Sequence, residues 1–335
     1  MAEGSKSNKV KVLVVGPGAI GTAVATPLAL ADVDLKVLGR DRHKEHFAKN
    51  KMVYITKKSK LQAKIDAVTL EDLKESEWRP DAIMITLKAN STLPLVKEFE
   101  KVFDHDTPIV SLQNGLIAQD IVEQSAFSNV IACVVGFNVK VNKLGEAEQT
   151  SEGDLVIGRV GKENNVSSTD VPEFISEVLN NVAPTKVSEN IVSDVWMKLM
   201  INSTINPICA IGNIPLGELA NLKSGLFLGL WTWKEMCDVV DAIGLKLNPF
   251  QGVLFPEVLY VYDIISYGIA KNVLKRIVSP HKDAIVSMLQ DIRKGKKTEI
   301  DFINGKIIEY GKQIGVNVDL NKMLYAIIKA KEQSK

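Results

Sequence analysis

A glycine-rich loop between an apolar strand and an apolar helix constrains the fold of this chain more than any other feature. The loop follows an apolar run over 10–15 and opens a helical pattern over 19–31. Its residues are Gly16, Pro17, Gly18, Ala19, Ile20 and Gly21. The first glycine permits a tight turn, the second lets the backbone approach a pyrophosphate, and the third lets helix and strand pack closely. We therefore predict a dinucleotide at the helix N-terminus, with a glycine turn that binds no ligand as the alternative.

Strands and helices alternate through the first half of the chain. Apolar runs predict strands over 10–15, 35–38, 83–87, 109–112 and 130–135. Helical patterns lie between several of them, for example over 93–102 and 117–124. Repeated strand, helix, strand units imply right-handed crossovers and a parallel sheet covered on both faces. The predicted fold class is α/β, beginning with a Rossmann-type, doubly wound sheet.

The pattern changes in the second half. Turn residues between short strands over 138–160 predict antiparallel hairpins that close the sheet, and a helix over 171–182 follows. Later helices are predicted near 190–210, 225–243, 254–275, 280–293, 298–314 and 320–333. We expect a dinucleotide-binding domain over 9–188 and an all-α domain over 189–335, after a frayed leader at 1–8.

Composition excludes several classes of protein. The 335 residues carry 41 basic and 40 acidic side chains, mixed along the chain, so we expect no nucleic-acid partner. Apart from the glycine-interrupted start, no apolar run is long enough to span a membrane. Cys133, Cys209 and Cys237 are widely spaced, which argues against disulfides and a metal site and favours the cytoplasm.

The end of the second predicted strand decides which nicotinamide dinucleotide binds. An arginine there grips a 2′-phosphate, whereas an acidic residue grips a ribose 2′-hydroxyl. The chain places Arg40 first, followed by Asp41 and Arg42. This order favours NADP, with NAD as the alternative if Asp41 faces the ribose.

Two polar residues follow later strands. Lys88 and Asn114 stand at the carboxyl ends, where an open α/β sheet binds its ligand, and both suit cofactor contacts. The alternatives are a solvated loop lysine and an Asn-Gly turn formed with Gly115.

Three polar residues stand four apart in an apolar helical pattern. Lys198, Asn202 and Asn206 would form one stripe on a helix. Because burial of unpaired polar groups is costly, we expect the stripe to line a cleft that holds a polar ligand. Hydrogen-bonded core amides and a snorkelling lysine are the alternative.

Near the C-terminus, Ser287 opens one helical segment and Thr298 opens another. Read alone, Thr298 and Asp301 resemble a helix-capping pair, and Glu299 would only complement the helix dipole.

Together, these segments resemble the ketopantoate reductase family over nearly the whole chain. The resemblance rests on the glycine loop, Thr86–Ala89, Gln113–Gly115, Trp196–Lys198 with Asn202 and Asn206-Pro207, Ser287–Asp291 and Thr298–Gly305. It implies a Rossmann domain joined to an all-helical domain, as in 6-phosphogluconate dehydrogenase. It also implies NADPH-dependent reduction of 2-dehydropantoate to (R)-pantoate, a step of pantothenate and coenzyme A biosynthesis.

The resemblance also implies roles for individual residues. Lys198 matches the proton donor, and Ser287 matches a residue that binds the substrate carboxylate. Substrate hydroxyl and carbonyl groups would contact Asn202 and Asn206. Glu299 matches a carboxylate that orders cofactor and substrate. Cofactor contacts match Arg40, Lys88 and Asn114, and Asn114 also matches a residue near the substrate.

The chain departs from compact family members in two places. It has Leu216 where they often place a substrate-binding asparagine, and its 245–280 segment is longer and richer in aromatics. A paralogous reductase of another 2-oxo acid, a different dehydrogenase of the same two-domain group and a non-catalytic dinucleotide sensor therefore remain alternatives. The aromatic-rich 225–267 region, with Trp231 and Trp233, is either a homodimer face or core.

Overall fold

The structure is a computed structural model that describes residues 9–161, 171–219, 221–247, 272 and 284–334. The chain forms two compact units. The first unit contains the residues up to Gln113 and Ile117–Ile191, and the second contains Asn114–Leu116 and the residues from Val192 onwards. Three residues of the early loop at 114–116 thus belong to the later, helical unit.

An eight-stranded sheet is the centre of the first unit. In spatial order its strands are β12 (Thr185–Val187), β11 (Leu155–Arg159), β8 (Val130–Val135), β7 (Ile109–Ser111), β6 (Ala82–Ile85), β1 (Val10–Val15), β2 (Val33–Leu38) and β5 (Asp66–Val68). The six strands from β8 to β5 are parallel, and β11 is antiparallel to β8. The prediction of a doubly wound Rossmann sheet is confirmed.

The chain order reverses beside β1. From β1 the sheet grows through β2 on one side and β6 on the other, so the loops after β1 and β6 leave the same edge at a topological switch point. All side chains of Val12–Val15 are fully buried, as expected for a parallel strand covered on both faces. The helices of this unit are α1 (Ala19–Leu28), α2 (Asp41–Lys49), α3 (Leu70–Glu75), α4 (Thr92–Phe99), α5 (Ile117–Gln124) and α6 (Glu173–Asn180).

A second sheet corrects the prediction for 138–160. The hairpin of β9 (Asn138–Lys143) and β10 (Glu146–Ser151) does not close the main sheet, because β10 pairs with β3 (Met52–Ile55), which pairs with β4 (Lys60–Ala63). Only β11 from this region joins the main sheet. Met52 and Tyr54 are buried in the same core as Ala23 and Val24 of α1. The second sheet therefore covers α1, which is apolar on more than one side.

The described residues of the second unit form helices joined by turns and loops, which confirms the prediction of an all-α domain. Its helices are α7 (Ile191–Gly212), α8 (Leu216–Leu219), α9 (Lys223–Ala242), α10 (Ser287–Arg293), α11 (Asn304–Ile314) and α12 (Asp319–Gln333). The helix predicted over 298–314 is instead a 3-10 turn, Ile300–Phe302, and α11, because the backbone leaves helical geometry at Ile303. The helix predicted over 254–275 lies, apart from residue 272, outside the described residues.

An apolar cluster holds α7 in this unit. Ile205, Ile208 and Cys209 of α7 pack with Leu219 and Leu324. Within the described ranges, no helix is both long and apolar enough to cross a membrane.

Candidate functional site

In the first unit, the glycine loop forms a tight turn against the main sheet. Gly16 has a φ of +97°, and its N–H donates to the Leu38 carbonyl oxygen at 2.9 Å. Gly18 is the N-cap residue of α1, and its N–H donates to the Gly16 carbonyl oxygen at 2.9 Å. No side chain of the described residues caps α1, so the first N–H groups of the helix are available to an anion.

Two glycines of the loop are needed for different reasons. A Cβ atom on Gly21 would lie 1.9 Å from the Gly16 carbonyl oxygen and 2.7 Å from Thr86 Oγ1. A Cβ atom on the exposed Gly18 would meet no atom of the described chain within 4 Å. Packing therefore requires Gly21, whereas the open space at Gly18 fits a ligand that approaches the backbone closely, as a pyrophosphate does.

Two residues without an assigned role tie the loops of the sheet edge together. Thr86 Oγ1 lies 2.8 Å from the carbonyl oxygens of Val15 and Gly16, to which it donates. Gln113 Nε2 donates to the Leu87 carbonyl oxygen at 2.7 Å and also contacts Thr92 Oγ1. The sequence signal for both is a polar side chain soon after a buried strand.

The predicted cofactor residue Lys88 is exposed on this edge. It precedes the 3-10 turn Ala89–Ser91, and its carbonyl oxygen accepts from the N–H of Ser91 at 3.0 Å. The loop that carries Lys88 is held by Gln113, through the hydrogen bond from Gln113 Nε2 to the Leu87 carbonyl oxygen.

The turn after β2 presents three charged, exposed side chains, Arg40, Asp41 and Arg42. Asp41 is the first residue of α2, where a carboxylate complements the helix dipole. The Arg40 N–H donates to His43 Nδ1 at 3.0 Å, and a Cβ on Gly39 would lie 2.8 Å from that nitrogen. His43 thus fixes the backbone of the turn that carries Arg40 and Arg42. No pattern in the sequence singles out this residue.

The electrostatics of this turn favour a neutral His43. Burial, followed by the positive charges of Arg42 and Arg40, lowers the pKa of the His43 imidazole. Because Nδ1 accepts a hydrogen bond, the ring proton of the neutral form is on Nε2. Protonation of Nδ1 would break this hydrogen bond.

In the second unit, the predicted polar stripe lies on one helix. Lys198, Asn202 and Asn206 all belong to α7, so their spacing of four residues aligns them along one side. Lys198 and Asn202 are half-buried, and Asn206 is buried at 6% exposure.

Three predicted site residues from distant parts of the sequence meet beside α7. Asn202 Nδ2 donates to Asn114 Oδ1 at 3.5 Å, and Asn114 Nδ2 donates to Glu299 Oε2 at 3.4 Å. We call Asn114, Asn202 and Glu299 the polar cluster. Both exceed the usual N–H···O range of about 2.7–3.2 Å, so the three side chains are only loosely tied to one another.

Backbone packing brings Asn114 to Glu299. Gly115 has a φ of +82°, and a Cβ there would lie 2.5 Å from the Phe302 carbonyl oxygen. The Asn-Gly pair is therefore more than a turn, since a side chain at position 115 would separate its loop from the 3-10 turn that follows Glu299.

The end of α12 anchors the loop that carries Glu299. Glu332 Oε1 accepts from both the N–H and the Oγ1 of Thr298 at 2.7 Å. Thr298 Oγ1 accepts from the Ile300 N–H at 3.2 Å, as a cap would. Asp301, however, accepts from the Tyr325 hydroxyl at 2.6 Å, so the expected pairing of Thr298 with Asp301 is wrong. Thr298 and Asp301, which flank Glu299 on either side, are thus both bonded to side chains of α12.

Ser287 is the exposed first residue of α10, which is tied to the segment after α7 at two points. Arg293 Nε donates to Asn213 Oδ1 at 2.8 Å, and the Leu216 N–H donates to the Ala284 carbonyl oxygen at 3.0 Å. The side chain of Leu216 packs against the apolar cluster of α7.

The comparisons with known proteins decide the family. The model for "Ketopantoate reductase PanE/ApbA" matches residues 12–162, and the model for its C-terminal domain matches residues 190–332. The 2-dehydropantoate 2-reductase of Pyrococcus horikoshii is 30% identical over 324 residues, which cover 96% of this chain and 98% of that protein. The chain belongs to the ketopantoate reductase family. The first match contains the glycine loop and Lys88, and the second contains the stripe on α7 and Glu299.

Solved structures show the same fold as this ketopantoate reductase family member. A family member from Ralstonia eutropha JMP134 has a TM-score of 0.80 at 22% identity, and covers 97% of this chain and 99% of its own. A D-mandelate dehydrogenase, solved with NADH and anilino(oxo)acetate, has a TM-score of 0.80 at 21% identity with the same coverage. The fold therefore occurs both in a protein named as a ketopantoate reductase and in one named as a D-mandelate dehydrogenase.

Proposed function

We propose that this protein is an oxidoreductase that uses NADPH to reduce 2-dehydropantoate to (R)-pantoate, a step toward pantothenate and coenzyme A. The observation that carries the proposal is the meeting of Asn114, Asn202 and Glu299 beside the helix of Lys198. These three side chains are far apart in the sequence. A purely structural role would favour shorter hydrogen bonds between them than those observed. The 2-dehydropantoate 2-reductase from Pyrococcus horikoshii supports the choice of substrate.

The dinucleotide would bind at the glycine loop, where the open space at Gly18 and the uncapped start of α1 suit a pyrophosphate. The bound nicotinamide would supply a hydride to C2 of the 2-oxo acid. Arg40, with Arg42 beside it, would bind a 2′-phosphate through charge-assisted hydrogen bonds, which favours NADPH over NADH. Lys88 would contact the cofactor from the next loop of the same sheet edge.

Lys198 would act as the proton donor. As C2 is reduced, negative charge develops on its carbonyl oxygen, and a positioned acid lowers the barrier by accompanying that charge with a proton. The half-buried position of Lys198 limits competition from water. After the reaction, Nζ would regain its proton from solvent.

The amides and Ser287 would orient the substrate. Asn202 and Asn206 would donate to the carbonyl and hydroxyl oxygens, and Ser287 would donate to the carboxylate. Contacts of 3.4 and 3.5 Å within the polar cluster can be replaced by contacts to substrate at low cost. Glu299, whose loop is anchored to α12 through Thr298 and Asp301, would order substrate and cofactor together.

A spectrophotometric assay of NADPH oxidation with a panel of 2-oxo acids tests this function. We expect 2-dehydropantoate to give the highest kcat/KM, above pyruvate, 2-oxoisovalerate and phenylglyoxylate. A different preferred acid would favour the paralogue alternative, for which the apolar packing of Leu216 is the specific observation. Cofactor binding without turnover of any acid would favour the sensor alternative.

We also propose that the protein forms a homodimer through α9. Trp231 is 51% exposed and contacts the ring of Phe227 one turn earlier, whereas Trp233 has its Nε1 buried. Trp231 therefore lies at the surface, whereas Trp233 is half-buried. Light scattering of wild type and Trp231→Glu tests the dimer, and an unchanged mass in the variant would exclude this face. The cytoplasmic location and the two domain ranges stay predictions.

A further inference from the structure

The helix that carries Lys198, Asn202 and Asn206 contains a proline. Pro207 lies inside α7, directly after Asn206. Proline has no N–H, so it cannot donate to the carbonyl oxygen of Ser203 four residues earlier, and its ring crowds that oxygen. Ser203 is fully buried at 0% exposure, so water does not easily replace the missing donor.

Asn304 supplies the donor that Pro207 lacks. Asn304 is the first residue of α11, is fully buried, and its Nδ2 donates to the Ser203 carbonyl oxygen at 2.9 Å. The two residues are 101 positions apart in sequence. A side chain of one helix thus completes the hydrogen bonding of another at the proline.

The orientation of Asn304 is defined by further contacts. Its Nδ2 also donates to Asn321 Oδ1 at 3.0 Å, and Asn321 Nδ2 donates to Glu235 Oε2 at 2.8 Å. Because both partners of Asn304 are acceptors, its amide nitrogen must face them. Glu235 additionally accepts from the backbone N–H groups of Leu320 and Asn321, at 2.8 and 3.0 Å. This chain of hydrogen bonds joins α9, α12, α11 and α7.

We propose that Asn304 is a positioning residue for the substrate. A proline inside a helix distorts it locally. By holding the Ser203 carbonyl at Pro207, Asn304 would set the helix geometry between Asn202 and Asn206, and so the angle between their carboxamides. The inference rests on the proposed function through the roles of those two asparagines. This role of Asn304 differs from a general packing role because it depends on Pro207.

The test compares Pro207→Ala, Asn304→Leu and the double variant. Alanine at 207 restores the helical N–H to Ser203 and should not destabilise α7, so Pro207→Ala remains folded. We expect it to raise the KM for the preferred 2-oxo acid about tenfold, because the helix geometry between Asn202 and Asn206 changes, while the dissociation constant for NADPH changes less than about twofold. An unchanged KM in Pro207→Ala would overturn the proposal.

The double variant tests the hydrogen bond independently of turnover. Asn304→Leu should lower the denaturation midpoint strongly in the wild-type background and much less in the Pro207→Ala background, where Ser203 no longer needs Asn304. Equal losses in both backgrounds would overturn the proposed link. Because this coupling needs no substrate, it separates failure of the link from failure of the proposed function, which would appear as wild type inactive on every acid of the panel.

Discussion

The glycine loop of the first unit and the polar cluster of the second unit are built in opposite ways. The loop consists of backbone, and its bonds from Gly16 and Thr86 are short, at 2.8 to 2.9 Å. The cluster consists of side chains, and its contacts are 3.4 and 3.5 Å long. A backbone cradle keeps its shape before a ligand arrives, which suits the proposed dinucleotide site. Loosely bonded side chains can rearrange around a ligand, which suits the proposed substrate site.

The largest expected effect concerns the helix beside the cluster. Replacing Lys198 with alanine should lower kcat by at least about 100-fold, because a general acid typically contributes 10²–10⁴-fold. NADPH affinity, measured by fluorescence titration, should change little. Lys312→Ala, on the exposed side of α11, is the matched control and should leave both values unchanged. Near-normal turnover in the Lys198 variant would remove Lys198 from the mechanism.

Alanine at Gly21 and alanine at Gly18 should have different effects on stability and on NADPH binding. Gly21→Ala should reduce the free energy of unfolding by about 3 kcal/mol or more, because its Cβ would overlap the Gly16 carbonyl oxygen. Gly18→Ala should cost about 1 kcal/mol or less, since its Cβ meets open space. The Gly18 variant should nevertheless bind NADPH about tenfold more weakly, because the new methyl group occupies the space for the pyrophosphate. If Gly18→Ala bound NADPH normally, the loop would not be the phosphate site.

Variants in the turn after β2 test whether the protein prefers NADPH or NADH. Arg40→Ala should raise the KM for NADPH about 10- to 100-fold, the value of one charge-assisted hydrogen bond or more, and leave the KM for NADH nearly unchanged. Lys49→Ala, in the exposed last turn of α2, serves as the control for loss of positive charge alone. An equal effect of Arg40→Ala on both dinucleotides would instead favour NAD, bound through Asp41.

The smallest effect is a pH dependence at the same turn. The pKa of His43 is lowered from its ordinary value of 6.5, so the unfolded chain binds the proton more readily than the folded chain. Its contribution to stability is therefore full above about pH 6.5 and decreases as the pH falls through the lowered value. Urea unfolding at pH 7.5 and 5.5 should show this loss in wild type and less of it in His43→Asn. The exposed His105→Asn variant should keep the wild-type dependence.

The comparison also explains what the sequence could predict. The loop and β1 were predicted at their observed positions, because glycine spacing and an apolar run are local signals. The sheet formed by β3, β4, β9 and β10 was not, since Lys60–Ala63 is short and half polar and the pairing of β3 with β10 is distant in sequence. Likewise, Pro207 predicts that the Ser203 carbonyl oxygen lacks its helical donor, but no local sequence signal identifies Asn304 as the partner. Long-range contacts between side chains, such as Glu332 with Thr298, leave no periodic pattern.

The most direct test of the central claim is to follow deuterium in the product. Wild-type protein is incubated with 2-dehydropantoate and with NADPH that carries deuterium at both hydrogen positions of nicotinamide C4, and the product is analysed by mass spectrometry, NMR and chiral chromatography. The account predicts (R)-pantoate with deuterium at C2 from one face of the labelled cofactor, and about a hundredfold less product from Lys198→Ala in the same time. Absence of pantoate, or pantoate without deuterium at C2, would contradict it.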